Sequence, residues 1–183
     1  YLERQVRRFA QLWQLDATRA LPVVVEVGRR LAADVPDPLP ETVVHGDYRL
    51  GNLMVERDDA ARVQAVLDWE MGALGDPRAD LGYLLATYAE PGGEPSPLGI
   101  TPVTASEGFP TKRELVERYV ARSGREVGPL GWFEALALWK AAVFCEAIYG
   151  RFLRGELGAE DAGAAAFETV VPLMAETARS CLA

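Results

Sequence analysis

The sequence predicts a mainly α fold with a small β-hairpin embedded in it. Three observations carry that expectation. Apolar residues recur at helical spacing near both ends of the chain, two short β-rich runs flank a polar stretch near the middle, and one Pro- and Gly-dense segment separates the hairpin region from the later helices.

Leu2, Val6, Phe9, Leu12 and Leu15 fall at helical spacing, with Trp13 beside them. Asp16 or Thr18 is the expected cap of a second helix, whose apolar face runs through Leu21, Val24, Val25, Val27 and Leu31. Pro36, Pro38 and Pro40 end it, because proline lacks an amide hydrogen and its ring collides with the preceding turn. Thr42-Val43-Val44 is a short β-rich run leading into a polar loop from His45 to Asn52. Leu53-Met54-Val55 and Val63-Gln64-Ala65-Val66-Leu67 read as the strands of a hairpin, joined through Glu56-Arg57-Asp58-Asp59. After Asp68-Trp69-Glu70 a glycine-containing loop is expected, then a helix starting at Pro77 and carried inward by Leu81, Leu84, Leu85 and Tyr88. The stretch from Glu90 to Pro110 is too rich in Pro and Gly for regular structure and reads as a long surface loop. Thr111 caps a helix that runs to about Ser123 and stops at Gly124. A long helix follows from about Pro129 to Phe152, and a last one from about Glu160 to Leu182.

A length of 183 residues is that of one domain with a core of its own. The net charge of −8, with only Lys112 and Lys140 as lysines and no basic stripe, argues against nucleic acid as a partner. No apolar run reaches the roughly 18 residues a membrane span needs, so no membrane partner is expected. The opening Tyr-Leu-Glu-Arg-Gln is charged and amphipathic, unlike a secretory leader, which makes the cytoplasm the expected compartment. Cys145 and Cys181 are too few and too far apart for a metal site and read as free thiols in a reducing environment.

The chemistry concentrates in His45-Gly46-Asp47-Tyr48-Arg49-Leu50-Gly51-Asn52, an H-x-D-x-x-x-x-N loop, followed one hairpin later by Asp68-Trp69-Glu70. Phosphoryl transfer asks for a carboxylate that orients and deprotonates the attacking hydroxyl, and for oxygen ligands that hold Mg²⁺ against the phosphates. This loop has the spacing of the protein-kinase catalytic loop, and a hairpin return sets Asn52 and Asp68 side by side. A metal-dependent hydrolase built on His45 and Asp47 lacks further imidazole ligands, since this is the only histidine.

With Gly75-Asp76-Pro77-Arg78-Ala79-Asp80-Leu81 added, the set resembles the C-terminal lobe of the aminoglycoside-phosphotransferase-like family, which includes choline and related small-molecule kinases. The opening is similar to the subgroup associated with acyl-CoA dehydrogenases. The resemblance implies the C-terminal lobe of a protein-kinase-like fold over residues 1–183. It implies Asp47 as catalytic base, Asn52 and Asp68 as ligands of Mg²⁺ and thereby of the nucleotide, and His45 and Asp80 as scaffold of the loop. ATP or GTP is the implied donor, and an aminoglycoside-like, choline-like, sugar or hydroxyacyl-CoA hydroxyl the implied acceptor.

The parts such an enzyme needs upstream, a glycine-rich loop over the phosphates and a strand lysine, are not in this sequence. The nucleotide-clamping lobe is therefore expected outside it, and the fragment alone is expected to be inactive. An apolar face left by that lobe is expected on the leading helices and near Asp68-Trp69, available for self-association. The alternative reading is a non-catalytic kinase-like binding module. Arg49 is a candidate contact to the phosphoryl group or substrate, and Glu70 to a second metal. Glu107, Glu134 and Glu146 are candidates for neutralising a cationic substrate. The loop from Glu90 to Pro110 is expected to be a mobile flap beside the substrate cleft, with Ile100, Val103 and Phe109 as its sizeable apolar residues.

Overall fold

A computed structural model describes residues 1–59, 62–157 and 159–183. Its elements are, in order, α1 (Leu2–Asp16), α2 (Pro22–Ala33), β1 (Thr42–Val44), β2 (Leu53–Val55), β3 (Val63–Val66), β4 (Ala73–Gly75), α3 (Arg78–Thr87), α4 (Lys112–Ser123), α5 (Gly131–Leu153) and α6 (Phe167–Cys181). Helix α5 is apolar almost all round, and α1, α2, α3 and α6 all pack on it. A helix of that composition has to be surrounded. Trp139, Phe133, Ala135 and Leu136 of α5 meet Val24, Val27 and Leu31 of α2 and Leu81 and Leu85 of α3 in one buried cluster. The α5 aromatics read from sequence divide accordingly. Trp132, Trp139 and Tyr149 are buried, whereas Phe144 is 63% exposed.

Two indoles fix α5 against α2. Trp139 Nε1 donates to the Val24 carbonyl at 2.9 Å, and Trp132 Nε1 donates to the Leu31 carbonyl at 3.3 Å. Trp139 also explains Gly28, where a Cβ would lie 2.7 Å from the ring.

The cap expected at Asp16 or Thr18 does not form: α2 begins with Leu21 as N-cap and Pro22 in its first turn. Thr18 has another partner. Its hydroxyl donates to Glu146 Oε1 at 2.6 Å, and Arg19 Nε donates to Glu146 Oε2 at 3.1 Å. Glu146 is fully buried, so its place is structural and it is not a surface charge for a cationic substrate. Arg19 continues to the Phe167 and Glu168 carbonyls, joining the α1–α2 turn, α5 and the start of α6. Removing one partner of a buried pair leaves an uncompensated charge, at a cost of roughly 3–5 kcal/mol. Because Arg19 keeps a quarter of its side chain in water, Glu146→Ala is expected near the low end of that range. Thermal unfolding of Glu146→Ala against the parent checks this, and an unchanged Tm would refute it.

The hairpin forms as β2–β3, antiparallel, with a register shift between Met54 and Val55. The glycine-containing loop expected after Glu70 instead contains a strand. β4 pairs antiparallel with β1, Thr42 opposite Gly75 and Val44 opposite Ala73, making a second two-stranded sheet. At three residues, β4 is too short for a periodicity signal to reveal.

Thr111 caps α4 as expected, in a reciprocal capping box with Glu114. The last helix starts later than expected, with a 3₁₀ segment at Ala159–Ala166 before α6. The stretch 90–110 also departs from expectation, because it holds a 3₁₀ turn at Pro102–Ala105. Thr104, fully buried, accepts from the Ala89 amide at 2.8 Å and donates to the Thr101 carbonyl at 3.0 Å. Gly92 N donates to the Ala105 carbonyl, and the Ser96 hydroxyl donates to the Ala86 carbonyl. These bonds tie the segment to the end of α3. Ile100 and Val103 are 42% and 50% exposed.

Candidate active site

The pairing of β1 with β4 does the first work of assembly. It sets the chain leaving Val44, at residue 45, beside the chain that enters α3 after Gly75. Asp76 and Arg78 lock that junction. Arg78 grips Asp76 through Nε at 3.0 Å and Nη2 at 2.7 Å, and its Nη2 also donates to the Asp37 carbonyl. Burial alone would raise the Asp76 carboxyl, but hydrogen bonds from Arg78 and from the Leu39 amide outweigh it and hold it below the usual carboxylate range.

With the junction fixed, Asp80 on the first turn of α3 reaches back to the loop. Its Oδ2 accepts from the His45 amide at 2.6 Å and its Oδ1 from the Gly46 amide at 2.8 Å. Only glycine serves at the second donor, because Gly46 has φ +85° and a Cβ there would lie 2.8 Å from the Met71 carbonyl oxygen.

His45 is buried and ties the two halves of the site together. Nδ1 accepts from the Asp47 amide at 3.2 Å, so Nε2 carries the hydrogen, which it donates to the Leu67 carbonyl at 2.7 Å. One ring therefore braces the residue at position 47 and the residue next to Asp68. Its face is covered by Trp69, with ring centroids 4.7 Å apart. Both ring nitrogens are engaged, which leaves no lone pair for proton abstraction.

Asn52 closes the third side. Its Nδ2 donates to the Asp47 carbonyl and to Asp47 Oδ2, both at 2.8 Å, and its backbone carbonyl accepts from Leu67 N at 2.8 Å. Two acceptors facing one end of the amide require that end to be the NH₂. Oδ1 is then the other end of the amide, turned away from Asp47. Asp68 follows one residue after Leu67 and is exposed. It is the one non-glycine residue with positive φ among the described residues (φ 64°, ψ 57°). Aspartate tolerates this region better than most residues, and such conformations cluster at functional sites.

The Asp47 carboxylate is held from two more directions. Arg49 Nε lies 3.5 Å from Oδ2, and the Arg49 guanidinium covers Gly51. Tyr83 hydrogen-bonds to the same carboxylate, and burial together with that negative charge pushes its phenol well above the usual range, so it stays a donor. Tyr83 was missed in the sequence, yet the signal was present. It sits three residues after Asp80 on one helix, which sets the two on adjacent positions of one face. Glu70 is exposed, and Glu134 pairs with Lys112 at 3.1 Å.

The donor set suits Mg²⁺: an exposed carboxylate and an amide oxygen, hard ligands of the kind that ion combines with phosphate oxygens and water. Among the described residues no group of three or more His, Cys, Asp or Glu side chains forms a self-sufficient metal cage.

Residues 1–141 match the profile of the phosphotransferase enzyme family. The chain belongs to that family. A crystal structure of a candidate aminoglycoside phosphotransferase from Ralstonia eutropha superposes on this fold with a TM-score of 0.81 at 28% identity, covering 100% of this chain and 55% of that one. Acyl-CoA dehydrogenase family member 11 from Rattus norvegicus is 33% identical over 180 residues, 97% of this chain and 23% of that protein. Viomycin phosphotransferase from Streptomyces vinaceus is 34% identical over 92 residues, 44% of this chain and 32% of that protein. The chain thus spans less than a quarter of the length of its dehydrogenase relatives. As a phosphotransferase family member it has the C-terminal lobe of a protein-kinase-like fold, mainly helical with small antiparallel sheets. No described helix is long and apolar enough to cross a membrane.

Proposed function

We propose that residues 1–183 form the catalytic lobe of a kinase that moves the γ-phosphoryl group of ATP or GTP to a hydroxyl of a small molecule. A nucleotide-clamping lobe outside these residues completes the enzyme. The observation that carries this reading is the His45 ring, which joins the Asp47 amide to the Leu67 carbonyl while Asn52 contacts both segments. That frame ties Asp47 and Asn52 to the residue that precedes Asp68, the order this chemistry needs.

In this mechanism Asp47 accepts the hydroxyl proton as the acceptor oxygen bonds to the γ-phosphorus and the bond to the β–γ bridging oxygen breaks. The nucleoside diphosphate departs. Asn52, Arg49 and Tyr83 keep the Asp47 carboxylate oriented. Mg²⁺ held by Asn52 Oδ1 and Asp68 would supply charge neutralisation at the phosphate oxygens. Exposed apolar residues on the leading helices (Leu15, Val25) and on the small sheets (Leu74, Met54, Val63) are candidates to meet the other lobe or, without it, a second copy.

The acceptor classes in view are aminoglycoside-like, choline-like, sugar and hydroxyacyl-CoA hydroxyls. The test is transfer of labelled γ-phosphate from ATP and GTP to one member of each class, using protein that includes the clamping lobe. Mg²⁺-dependent transfer is expected. Asp68→Asn is expected to raise the Mg²⁺ concentration for half-maximal rate at least about tenfold, since asparagine keeps the left-handed backbone but loses the charge. Transfer without any divalent ion, or an unaltered Mg²⁺ requirement in Asp68→Asn, would rule the metal assignment out.

A further inference from the structure

The sequence shows no basic stripe, yet the fold gathers three arginines on one groove. Arg118 and Arg122 stand one turn apart on α4, and Arg125 follows the Gly124 turn that ends the helix. With Tyr48, Trp69 and Tyr119 they line a groove of about 480 Å³ between α4, α3 and the catalytic loop. That volume is within the range of small-molecule sites, roughly 300–1,000 Å³. In a chain of net charge −8, three cations around one groove need an explanation.

They are not there to satisfy one another's acids. None of the three forms an ion pair among the described residues. Glu114, one turn before Arg118, feels its charge, but its carboxylate accepts from the Thr111 amide and hydroxyl in the α4 cap. The acid that lines the groove is Asp80, and both of its oxygens are taken by the His45 and Gly46 amides. Arg122 also favours the carbonyl end of α4 through the helix dipole, a role that accounts for one arginine and not for three.

We propose that this groove binds a small organic phosphate, its phosphate on Arg118, Arg122 and Arg125 and its apolar or aromatic body against Tyr48, Trp69 and Tyr119. Guanidinium forks match phosphate oxygens in geometry and charge, and the aromatic faces supply apolar contact. A nucleic-acid strand fits poorly, because the overall charge repels a polyanion and the cations sit in one groove and not along a track. The site is separate from the carboxylate of Asp47 but touches its frame, since His45 and Trp69 are among the lining residues. This inference stands on the groove and not on the proposed transfer reaction.

Trp69 is the half-exposed indole of the four in the chain, so its fluorescence reports occupancy. Phenyl phosphate titrated into the protein is expected to give a saturable change that weakens with added salt, while phenol at equal concentration gives none. Arg118→Ala/Arg122→Ala is expected to weaken binding at least about tenfold, and Arg122→Lys, which keeps the charge and loses the fork, several-fold. These arginines are exposed, so far-UV circular dichroism should be unchanged in both variants. Equal binding of phenol, no saturation, or undiminished affinity in the double variant would overturn the proposal.

Discussion

Asp47→Asn is expected to reduce kcat by about a thousandfold while leaving Tm within about 1 °C of the parent, in protein carrying the nucleotide-clamping lobe. The loss follows from the role proposed for the carboxylate: positioned proton acceptance contributes roughly 10²–10⁴ in rate, and an amide at this place neither takes the proton nor draws the hydroxyl into line. The stability half of the expectation comes from what the substitution spares. The backbone amide of residue 47 still donates to His45 Nδ1, and its carbonyl still accepts from Asn52 Nδ2. Asparagine keeps one oxygen to accept from Asn52 Nδ2, and its NH₂ can donate to the Tyr83 hydroxyl, which accepts as well as donates. The net loss is the ion pair with Arg49 at 3.5 Å from a side chain a quarter exposed, and such pairs are worth little in water. The nucleotide KM should be unaffected, because residue 47 faces the acceptor in this reading and not the phosphates. Turnover within threefold of the parent would remove Asp47 as the base. A large fall in Tm would show instead that the carboxylate holds the loop together.

The helices and the hairpin were legible because their signals are local. Thr111 with Glu114 three residues on announces a cap, and the spacing from His45 through Asn52 to Asp68 is intact in the sequence itself. What was not legible depends on pairing across long separations. β4 has three residues and exists because β1 lies opposite it. Thr18 looked like a helix cap because nothing nearby discloses a buried carboxylate 128 positions later. The same carboxylate, Glu146, looked like surface charge for the same reason. The helical offset of Arg118 and Arg122 is in the sequence, but their sharing a groove with Trp69 and Tyr48, 49 or more positions earlier, depends on the fold. Within the site, aspartates whose spacing matched the kinase loop could be read, whereas Tyr83 could be reached only through its helical offset from Asp80.

Asp80→Asn separates scaffold from chemistry, and the expected result is a joint loss: about 2–3 kcal/mol of stability together with at least a hundredfold of kcat. The reason lies in how the two oxygens are used. Each accepts one amide hydrogen, from His45 at 2.6 Å and from Gly46 at 2.8 Å. Asparagine offers one acceptor, so its NH₂ must face an N–H donor and a hydrogen bond becomes a repulsion. The Gly46 amide cannot turn away to find another partner, because its positive φ is pinned against Met71. Hydrogen bonds to a charged group contribute roughly 1.5–3 kcal/mol each, and an orphaned buried donor adds its own desolvation cost. The upper end is not reached because Asp80 is only half-buried. For a domain of this size the Tm should fall by roughly 4–12 °C. The rate falls because the loosened His45 amide carries the ring that holds the Asp47 amide and the Leu67 carbonyl. Phosphoryl transfer and thermal unfolding measured on one preparation give the decisive comparison. Asp47→Asn should lose rate without stability, and Asp80→Asn should lose both. A stable but inactive Asp80→Asn would place Asp80 in the chemistry, and a fully active one would show that the loop holds its shape without it.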